Sequence, residues 1–210
     1  MQAEGLILAG GWSTRMGGNH KGSLIYRGEA FTQILIKELK RETSCVRISY
    51  GRKIKEDWGC CPAVMDIYPD CGPIGGIHAG LSACLSEWLL VAACDMPFLK
   101  IDLFCFLMDR IYEMKKKGVS CEGAVPVSEG RIHPLAAVYK KGIEKIFEEQ
   151  IQTGSYGIRD TLKRLNILYV DLTKDKIFKQ MMQNINTAED YERLIENEWA
   201  DIKAGTGTAS

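Results

Sequence analysis

The segment from Leu6 to Gly22 reads LILAGGWSTRMGGNHKG, a short apolar run followed at once by a glycine-rich loop. The apolar run is typical of a buried strand, and the loop behind it has about a dozen residues, more than a simple turn requires. Glycine lets backbone N–H groups approach anionic oxygens, and Arg15 and Lys21 add two positive charges. This pattern predicts a loop that binds phosphate.

The loop matches neither of two common phosphate-binding motifs. A P-loop ends in Gly-Lys-Ser/Thr because the hydroxyl group binds magnesium, whereas Lys21 lies between His20 and Gly22. The dinucleotide fingerprint Gly-x-Gly-x-x-Gly does not begin at Gly10 and Gly11. The loop therefore binds phosphate in another way or, as the alternative, is only a tight connection between a strand and a helix.

Apolar runs of strand length alternate with helix-like stretches along the chain, which predicts an α/β fold with a mostly parallel sheet. The strongest strand signal is Trp88-Leu-Leu-Val-Ala-Ala93, because an unbroken apolar run is typical of a strand buried on both faces. A helix is predicted from Ile101 to about Lys117, where three lysines and Gly118 favour a helix end. Further strands are predicted at residues 6–9, 46–50, 63–65, 121–127, 135–139 and 167–170, and further helices at residues 31–39, 77–85, 142–150, 157–165 and after Thr187.

Length and composition limit the kinds of protein that this chain can be. With 210 residues, 46% of them hydrophobic, we expect one domain over residues 1–200 and an unstructured tail at residues 201–210. Basic and acidic side chains number 27 each, so no overall positive field favours nucleic acid or a membrane surface. Eight irregularly spaced cysteines, no signal peptide and no apolar run of about 20 residues predict reduced thiols and a cytoplasmic location.

The order of residues in the first loop, Leu8-Ala-Gly-Gly-x-Ser-x-Arg-Met-Gly-Gly-x-x-Lys21, resembles the opening signature of the nucleotidyltransferase superfamily. Within it, four further segments resemble the molybdenum cofactor guanylyltransferases: Asp66 with Gly72-Pro-Ile-Gly-Gly-Ile77, Cys94-Asp-Met-Pro97, His133-Pro-Leu135 and Asn184-Ile-Asn-Thr187. The resemblance covers roughly residues 4–196. It implies a Rossmann-like three-layer nucleotidyltransferase fold, with a mostly parallel central sheet and helices on both faces.

The same resemblance implies transfer of GMP from GTP to molybdopterin, with Mg²⁺ as cofactor and pyrophosphate as the leaving group. Such a reaction needs positioning and charge stabilisation rather than a covalent nucleophile. The implied partners are GTP, molybdopterin, other cofactor-assembly proteins and apo-molybdoenzymes, but neither nucleic acid nor a membrane. Related cytidylyltransferases usually have Leu-Ala-Ala-Gly where this chain has Leu-Ala-Gly-Gly, which favours guanine. The alternatives are a nucleotidyltransferase of the same fold that uses CTP or a sugar phosphate, and a non-catalytic GTP-binding protein.

The resemblance implies roles for the residues that bind the nucleotide. Backbone contacts to guanine and ribose are implied for Leu8, Ala9, Gly10 and Gly11. Arg15 and Lys21 would neutralise the triphosphate and the leaving pyrophosphate, with a solvated surface charge as the alternative for each. Asp95 follows the most buried strand and would bind magnesium, unless it only caps a helix or forms a turn. Asp66 would contact the ribose or guanine, unless it only opens an Asx-turn.

Four further residues are implied to bind the acceptor. Asn184 and Asn186 resemble an Asn-x-Asn motif at the pterin or phosphate end of the site, although asparagines before a helix are also ordinary caps. Arg131 and His133 could face the molybdopterin phosphate, or the His133 segment could only shape its turn.

Two positions depart from the family pattern. His20 stands where an acidic residue is frequent, so the charge beside Lys21 could depend on pH. Ser49 stands near a position at which relatives have an asparagine that contacts the nucleotide, which leaves that contact open.

Overall fold

A computed structural model describes residues 2–10, 21–51, 58–59 and 61–205, with side chains as far as residue 196. Strands within these ranges are β1 Ala3–Leu8, β2 Ile25–Tyr26, β3 Glu29–Ala30, β4 Val46–Ser49, β5 Ala63–Val64, β6 Trp88–Ala93, β7 Gly123–Ser128, β8 Arg131–Ile132, β9 Ala136–Lys140 and β10 Ile167–Asp171. Helices are α1 Phe31–Leu39, α2 Pro73–Ala83, α3 Ile101–Lys116, α4 Glu144–Gln152, α5 Ile158–Leu162, α6 Lys176–Met181 and α7 Ala188–Gly205. A short 3-10 turn spans Lys21–Ser23.

The large sheet has the strand order β10-β7-β9-β6-β1-β4-β5, with β8 paired to β7, and a separate ribbon joins β2 to β3. Strand β1 pairs in parallel with β4 and β6, as do β4 with β5 and β7 with β10. Strand β9 is antiparallel to both β6 and β7, because the short connection from β7 through β8 cannot make the crossover that a parallel neighbour needs. The prediction of a mostly parallel sheet in an α/β fold is confirmed.

Strand β6 shows how the core forms on both faces of the sheet. Leu90 and Ala92 belong to the apolar cluster that includes α1 and α3, whereas Leu89 and Val91 belong to the cluster of α2 and α4. All six residues of the strand are buried. Because side chains alternate across a strand, an unbroken apolar run satisfies both layers, and helices lie on both faces as expected.

Helix α2 packs very close to the sheet. A Cβ atom added at Gly80 would lie 2.3 Å from Cδ2 of Leu6, and one at Gly76 would lie 2.7 Å from Oγ of Ser49. The helix begins at Pro73, four residues before the predicted start, because proline at the first helical position supplies the required φ after Gly72. Its amino end thereby reaches the carboxyl ends of β1 and β4.

Three elements differ from the sequence expectation. Helix α6 was not predicted, although Asp175 caps it by accepting hydrogen bonds from the N–H groups of Ile177 and Phe178. Strand β8 was not predicted either; Glu129 and Gly130 both have positive φ, which allows the tight turn from β7 into β8. Helix α7 continues to Gly205, so the tail expected from residue 201 begins as helix; residues 206–210 lie outside the described ranges.

Two further observations concern the chain as a whole. In the ranges given above, no helix combines the length and the apolar character that crossing a membrane requires. The cysteines in these ranges form no disulfide, and most of them are buried.

Candidate active site

Three of the side chains proposed from sequence meet at the carboxyl ends of β1 and β6. The Nζ atom of Lys21 lies 3.2 Å from Oδ2 of Asp95 and donates a 2.6 Å hydrogen bond to Oδ1 of Asn186. Both Lys21 and Asp95 are largely buried, with side-chain exposures of 20% and 18%. The ammonium group of Lys21 thus contacts a carboxylate and an amide at the same time.

Asp95 is held at this point by its backbone neighbours. The N–H of Cys94 donates to the carbonyl of Leu8 over 3.1 Å, which joins the end of β6 to the end of β1. The carbonyl of Asp95 accepts from the N–H of Ile185 over 2.8 Å, which joins it to the segment before α7. Asp95 does not cap a helix, because α3 begins only at Ile101. It lies in the turn after β6, at the sheet edge where open α/β proteins bind ligands.

The second carboxylate oxygen of Asp95 is the best candidate for a metal contact. Oδ1 is buried and lacks a hydrogen-bond partner in the described part of the chain. Leaving a buried oxygen unpaired is unfavourable, so this atom fits a ligand from outside the chain. No group of three or more His, Cys, Asp or Glu side chains suited to a metal occurs among the described residues. Such a sparse donor set suits Mg²⁺, which commonly keeps one or two carboxylates, phosphate oxygens and water.

Lys21 is positioned by packing that was not predicted from the sequence. Gly22 is buried, and a Cβ atom there would lie 2.4 Å from Oγ1 of Thr32 on α1. The carbonyl of Lys21 accepts from the N–H of Leu24, and the carbonyl of Leu24 accepts from the N–H of Phe31. The chain after the glycine-rich loop is thus pressed against the first turn of α1, with Lys21 directed towards Asp95.

The end of β1 approaches the end of β4 closely. The N–H of Ala9 donates to the carbonyl of Ser49 over 2.8 Å, and a Cβ atom at Gly10 would lie 3.1 Å from the backbone nitrogen of Gly51. Leu8 and Ala9 are buried and Gly10 is exposed, so Gly10 is the residue of these three that a ligand could reach. The other expected loop residues, Gly11, Arg15 and His20, lie outside the described residues.

Asp66 is a second polar side chain at the same edge of the sheet. Its Oδ1 accepts a 3.2 Å hydrogen bond from the hydroxyl of Ser49, and its N–H donates to the carbonyl of Gly51. Burial raises the pKa of the Asp66 carboxyl, and the bond from Ser49 opposes that shift. A Cβ atom at Gly75 would lie 3.1 Å from Oδ2 of Asp66, so the glycine makes room for the carboxylate beside α2. Ser49, noted from sequence as a departure, is thus a buried partner of Asp66.

Arg131 and His133, the residues near β8 that were proposed to bind the acceptor, lie at the same edge of the sheet. They are not among the described hydrogen-bond partners of Lys21. The N–H of Ala93 donates to the carbonyl of Leu135 over 2.9 Å, which brings the segment that begins at His133 beside the end of β6. Burial, and after it the charge of Arg131, lowers the pKa of His133, so this imidazole is neutral at pH 7. In the ranges that are described, neither Arg131 nor His133 is hydrogen-bonded to Lys21 through its side chain.

The two asparagines before α7 have different surroundings. Both are exposed to solvent, but Oδ1 of Asn186 accepts a hydrogen bond from Lys21. Neither caps α7, because the reciprocal cap is made by Thr187 and Asp190. The structure therefore joins Asn186 to the Lys21–Asp95 pair and does not bring Asn184 into that contact.

Comparison with known proteins identifies the family to which this chain is similar. A family model described as the MobA-like NTP transferase domain matches residues 5–168. A probable molybdenum cofactor guanylyltransferase of Clostridium perfringens (strain 13 / Type A) is 32% identical over 197 residues, covering 90% of this chain and 94% of the relative. A molybdenum cofactor guanylyltransferase of Yersinia pseudotuberculosis serotype O:1b (strain IP 31758) is 30% identical over 189 residues, covering 89% and 91%.

Solved structures share the fold over most of the chain. The molybdopterin-guanine dinucleotide biosynthesis protein A of Archaeoglobus fulgidus superposes with a TM-score of 0.72 at 24% identity, covering 92% of this chain and 97% of its own. A 2-C-methyl-D-erythritol 4-phosphate cytidylyltransferase of Thermus thermophilus reaches 0.64 at 14% identity, covering 92% and 97%. The expected nucleotidyltransferase fold is thereby confirmed.

Proposed function

This chain belongs to the MobA-like NTP transferase family, and we propose that it is a magnesium-dependent guanylyltransferase that transfers GMP from GTP to molybdopterin. The observation that carries the proposal is the contact of Lys21 with both Asp95 and Asn186 at the carboxyl ends of β1 and β6. This contact places a partly buried positive charge at the sheet edge where open α/β proteins bind ligands, and a nucleotidyl transfer requires such a charge beside the phosphates.

The reaction places three demands on the protein. A phosphate oxygen of molybdopterin attacks the α-phosphorus of GTP, the bond to the bridging oxygen breaks, and its electron pair leaves with pyrophosphate. The protein must align the two reactants, keep the nucleoside in place and stabilise the charge that grows on the phosphates. No covalent bond between the protein and the nucleotide is required.

Lys21 meets the demand for charge stabilisation. An ammonium group has three N–H donors, and the contacts with Asp95 and Asn186 use two of them. The third can reach a phosphate oxygen, in a setting where partial burial strengthens the interaction. We assign Arg15 to the same triphosphate on its position in the loop, and both residues to catalysis.

Asp95 would hold the magnesium ion through its buried Oδ1 atom, which suits a cation that is otherwise held by phosphate and water. When bound, the ion would neutralise phosphate charge and polarise the phosphoryl group. The protein's own contribution is to keep that carboxylate fixed between β1 and the segment before α7.

The nucleoside would lie between Gly10 and Asp66. The carbonyl of Leu8 and the N–H of Ala9 are already used in bonds within the sheet, so these two residues would shape the pocket rather than donate to the base. Gly10 offers backbone close to Gly51, where a Cβ atom would be tightly packed, and Gly11 follows it. Asp66 would accept hydrogen bonds from the ribose or the guanine.

The acceptor would enter beside the segment from β8 to β9. Arg131 offers a cation for the phosphate of molybdopterin, and a neutral His133 offers a hydrogen bond without adding charge. Asn184 lies exposed near the same edge, and Asn186 would contact the acceptor phosphate in addition to Lys21. Other cofactor-assembly proteins and apo-molybdoenzymes in the cytoplasm would supply the acceptor and take up the product.

The test is release of pyrophosphate by the purified protein with molybdopterin and Mg²⁺, with GTP, CTP and UTP compared in parallel. We expect release with GTP. Preference for CTP would replace the assignment by a cytidylyltransferase, and release with a sugar phosphate instead of molybdopterin would change the acceptor. A melting temperature raised by GTP without release under any of these conditions would indicate a GTP-binding protein.

A further inference from the structure

The first turn of α7 is closed by a reciprocal pair of polar side chains. Oδ2 of Asp190 accepts hydrogen bonds from the N–H groups of Asn186 and Thr187, at 3.1 and 3.0 Å. Oγ1 of Thr187 accepts in return from the N–H of Asp190 at 3.1 Å. Three bonds therefore fix the backbone of the residue whose side chain binds Lys21.

The residue on the other side of Asn186 is fixed as well. Ile185 donates its N–H to the carbonyl of Asp95, and its side chain is buried in a small cluster with Phe31 and Leu194. Asn186 thus lies between two immobilised neighbours, although it is itself exposed. An exposed asparagine would otherwise rotate freely, so its direction towards Lys21 depends on the backbone that these neighbours hold.

The same helix turn also contacts the segment that carries Lys21. The hydroxyl of Tyr191 donates to the carbonyl of Ile25 over 2.8 Å, and its ring packs edge-on against Phe31 with centroids 6.2 Å apart. The beginning of α7 therefore contacts the backbone of Asn186 through Asp190 and the chain four residues after Lys21 through Tyr191. Helix α7 lies beyond residue 168, where the match to the family domain ends.

We infer that Asp190, with Thr187, is a positioning residue for the transfer reaction: the cap orients Asn186, and Asn186 orients the ammonium group of Lys21. The inference rests on the proposed function, because Lys21 matters only if phosphates react beside it. A lysine side chain is long and flexible, so its placement against a transition state needs fixed acceptors. Asp95 is one acceptor, and the cap fixes the other.

The test compares two carboxylates that each accept two backbone N–H groups at a helix start. Asp190→Ala removes the carboxylate that reaches back from the third residue of α7, and Asp175→Ala removes the N-cap carboxylate of α6, which accepts from Ile177 and Phe178. Because misplacement by about 1 Å can cost about 100-fold in rate, we expect Asp190→Ala to lower kcat by about 10- to 100-fold. Asp175→Ala is expected to lower the melting temperature to a similar extent and to keep kcat.

A double-mutant cycle separates positioning from loss of helix stability. If Asp190 acts through Asn186, Asp190→Ala adds no further loss of kcat in the background of Asn186→Ala. Asp190→Asn, which retains an oxygen acceptor, should restore most of the rate. Losses that multiply in the double variant, or an Asp190→Ala protein with the kcat of the unmodified protein, would overturn the inference. Should Asp190→Ala not fold, Thr187→Ala, which removes the other half of the cap, carries the same cycle.

The inference and the proposed function can fail separately. If the unmodified protein releases no pyrophosphate with any nucleotide and acceptor, the proposed function fails. The coupling can then still be measured as the rise in melting temperature that Mg²⁺ with GTP produces. Asp190→Ala and Asn186→Ala should reduce that rise equally, and a rise unchanged in Asp190→Ala would contradict the coupling.

Discussion

Nζ of Lys21 lies 3.2 Å from Oδ2 of Asp95, although 74 positions separate the two residues in the sequence. The contact pairs a cation with an anion, and each partner retains capacity for a ligand: one N–H of the ammonium and the buried Oδ1 of the carboxylate. Phosphate and a divalent cation are the ligands that these two groups would take together. The predictions below test that interpretation and the packing that supports it.

Removal of the ammonium group of Lys21 should strongly reduce turnover and leave the fold intact. Lys21→Ala is expected to lower kcat with GTP by about 100- to 1000-fold, the usual loss when one group that stabilises transition-state charge is removed. Lys163→Ala is the matched control, because Lys163 forms only an exposed ion pair with Asp160 one helix turn away. Equal activity of the two variants would remove Lys21 from the mechanism.

The carboxylate of Asp95 should determine the response to magnesium. Asp95→Asn keeps the shape of the side chain and removes its charge, so the Mg²⁺ concentration that gives half-maximal rate should rise at least about ten-fold. Excess EDTA should stop the unmodified enzyme, and added Mg²⁺ should restore it. An unchanged Mg²⁺ dependence in Asp95→Asn would move the metal to other residues.

Asp66 should make stability fall as the pH rises. Burial raises its pKa in the folded state, so the folded protein binds more protons than the unfolded chain above the ordinary aspartate pKa of about 4. The contribution of this group is therefore complete at lower pH and is lost as the pH rises through the folded pKa. Asp66→Asn should raise the melting temperature near pH 7 relative to the unmodified protein and have little effect near pH 3.

Asp171 offers a control for that measurement. Hydrogen bonds from the side chain and the N–H of Thr173 lower its pKa, so its contribution is present at neutral pH and is lost as the pH falls through the folded pKa. The melting-temperature difference between Asp171→Asn and the unmodified protein should consequently depend on pH with the opposite sign. The same sign for both variants would refute the assignment of a raised pKa to Asp66.

The close packing of α2 should not tolerate one extra methyl group. Gly80→Ala places a Cβ within 2.3 Å of the fully buried Leu6, and we expect a loss of about 1–3 kcal/mol in the free energy of unfolding. Gly157→Ala is the control, because a Cβ there meets only the flexible end of Asp160 at 3.3 Å. Chemical denaturation of both variants measures the difference, and a Gly80→Ala protein as stable as the control would show that Leu6 can move aside.

Local pattern alone was sufficient for the elements whose own residues decide their structure. The bounds predicted for β6 and α1 agree with the structure, because an apolar run or a helical repeat is a property of neighbouring residues. Short elements were not predicted, because α6 and β8 have only six and two residues, which are too few to show a hydrophobic period. Lys21 and Asp95 were found as candidates from the resemblance of their motifs.

What the sequence determined by itself was therefore the class of fold, the family and the identity of the charged groups. The tertiary structure decided which of them meet: Asn186 with Lys21 at a separation of 165 positions, and Ser49 with Asp66. Contacts of this kind depend on the order of strands in the sheet and on the path of the chain after it. Hydrophobic periodicity specifies which face of a strand is buried, but leaves open which strand lies next to it.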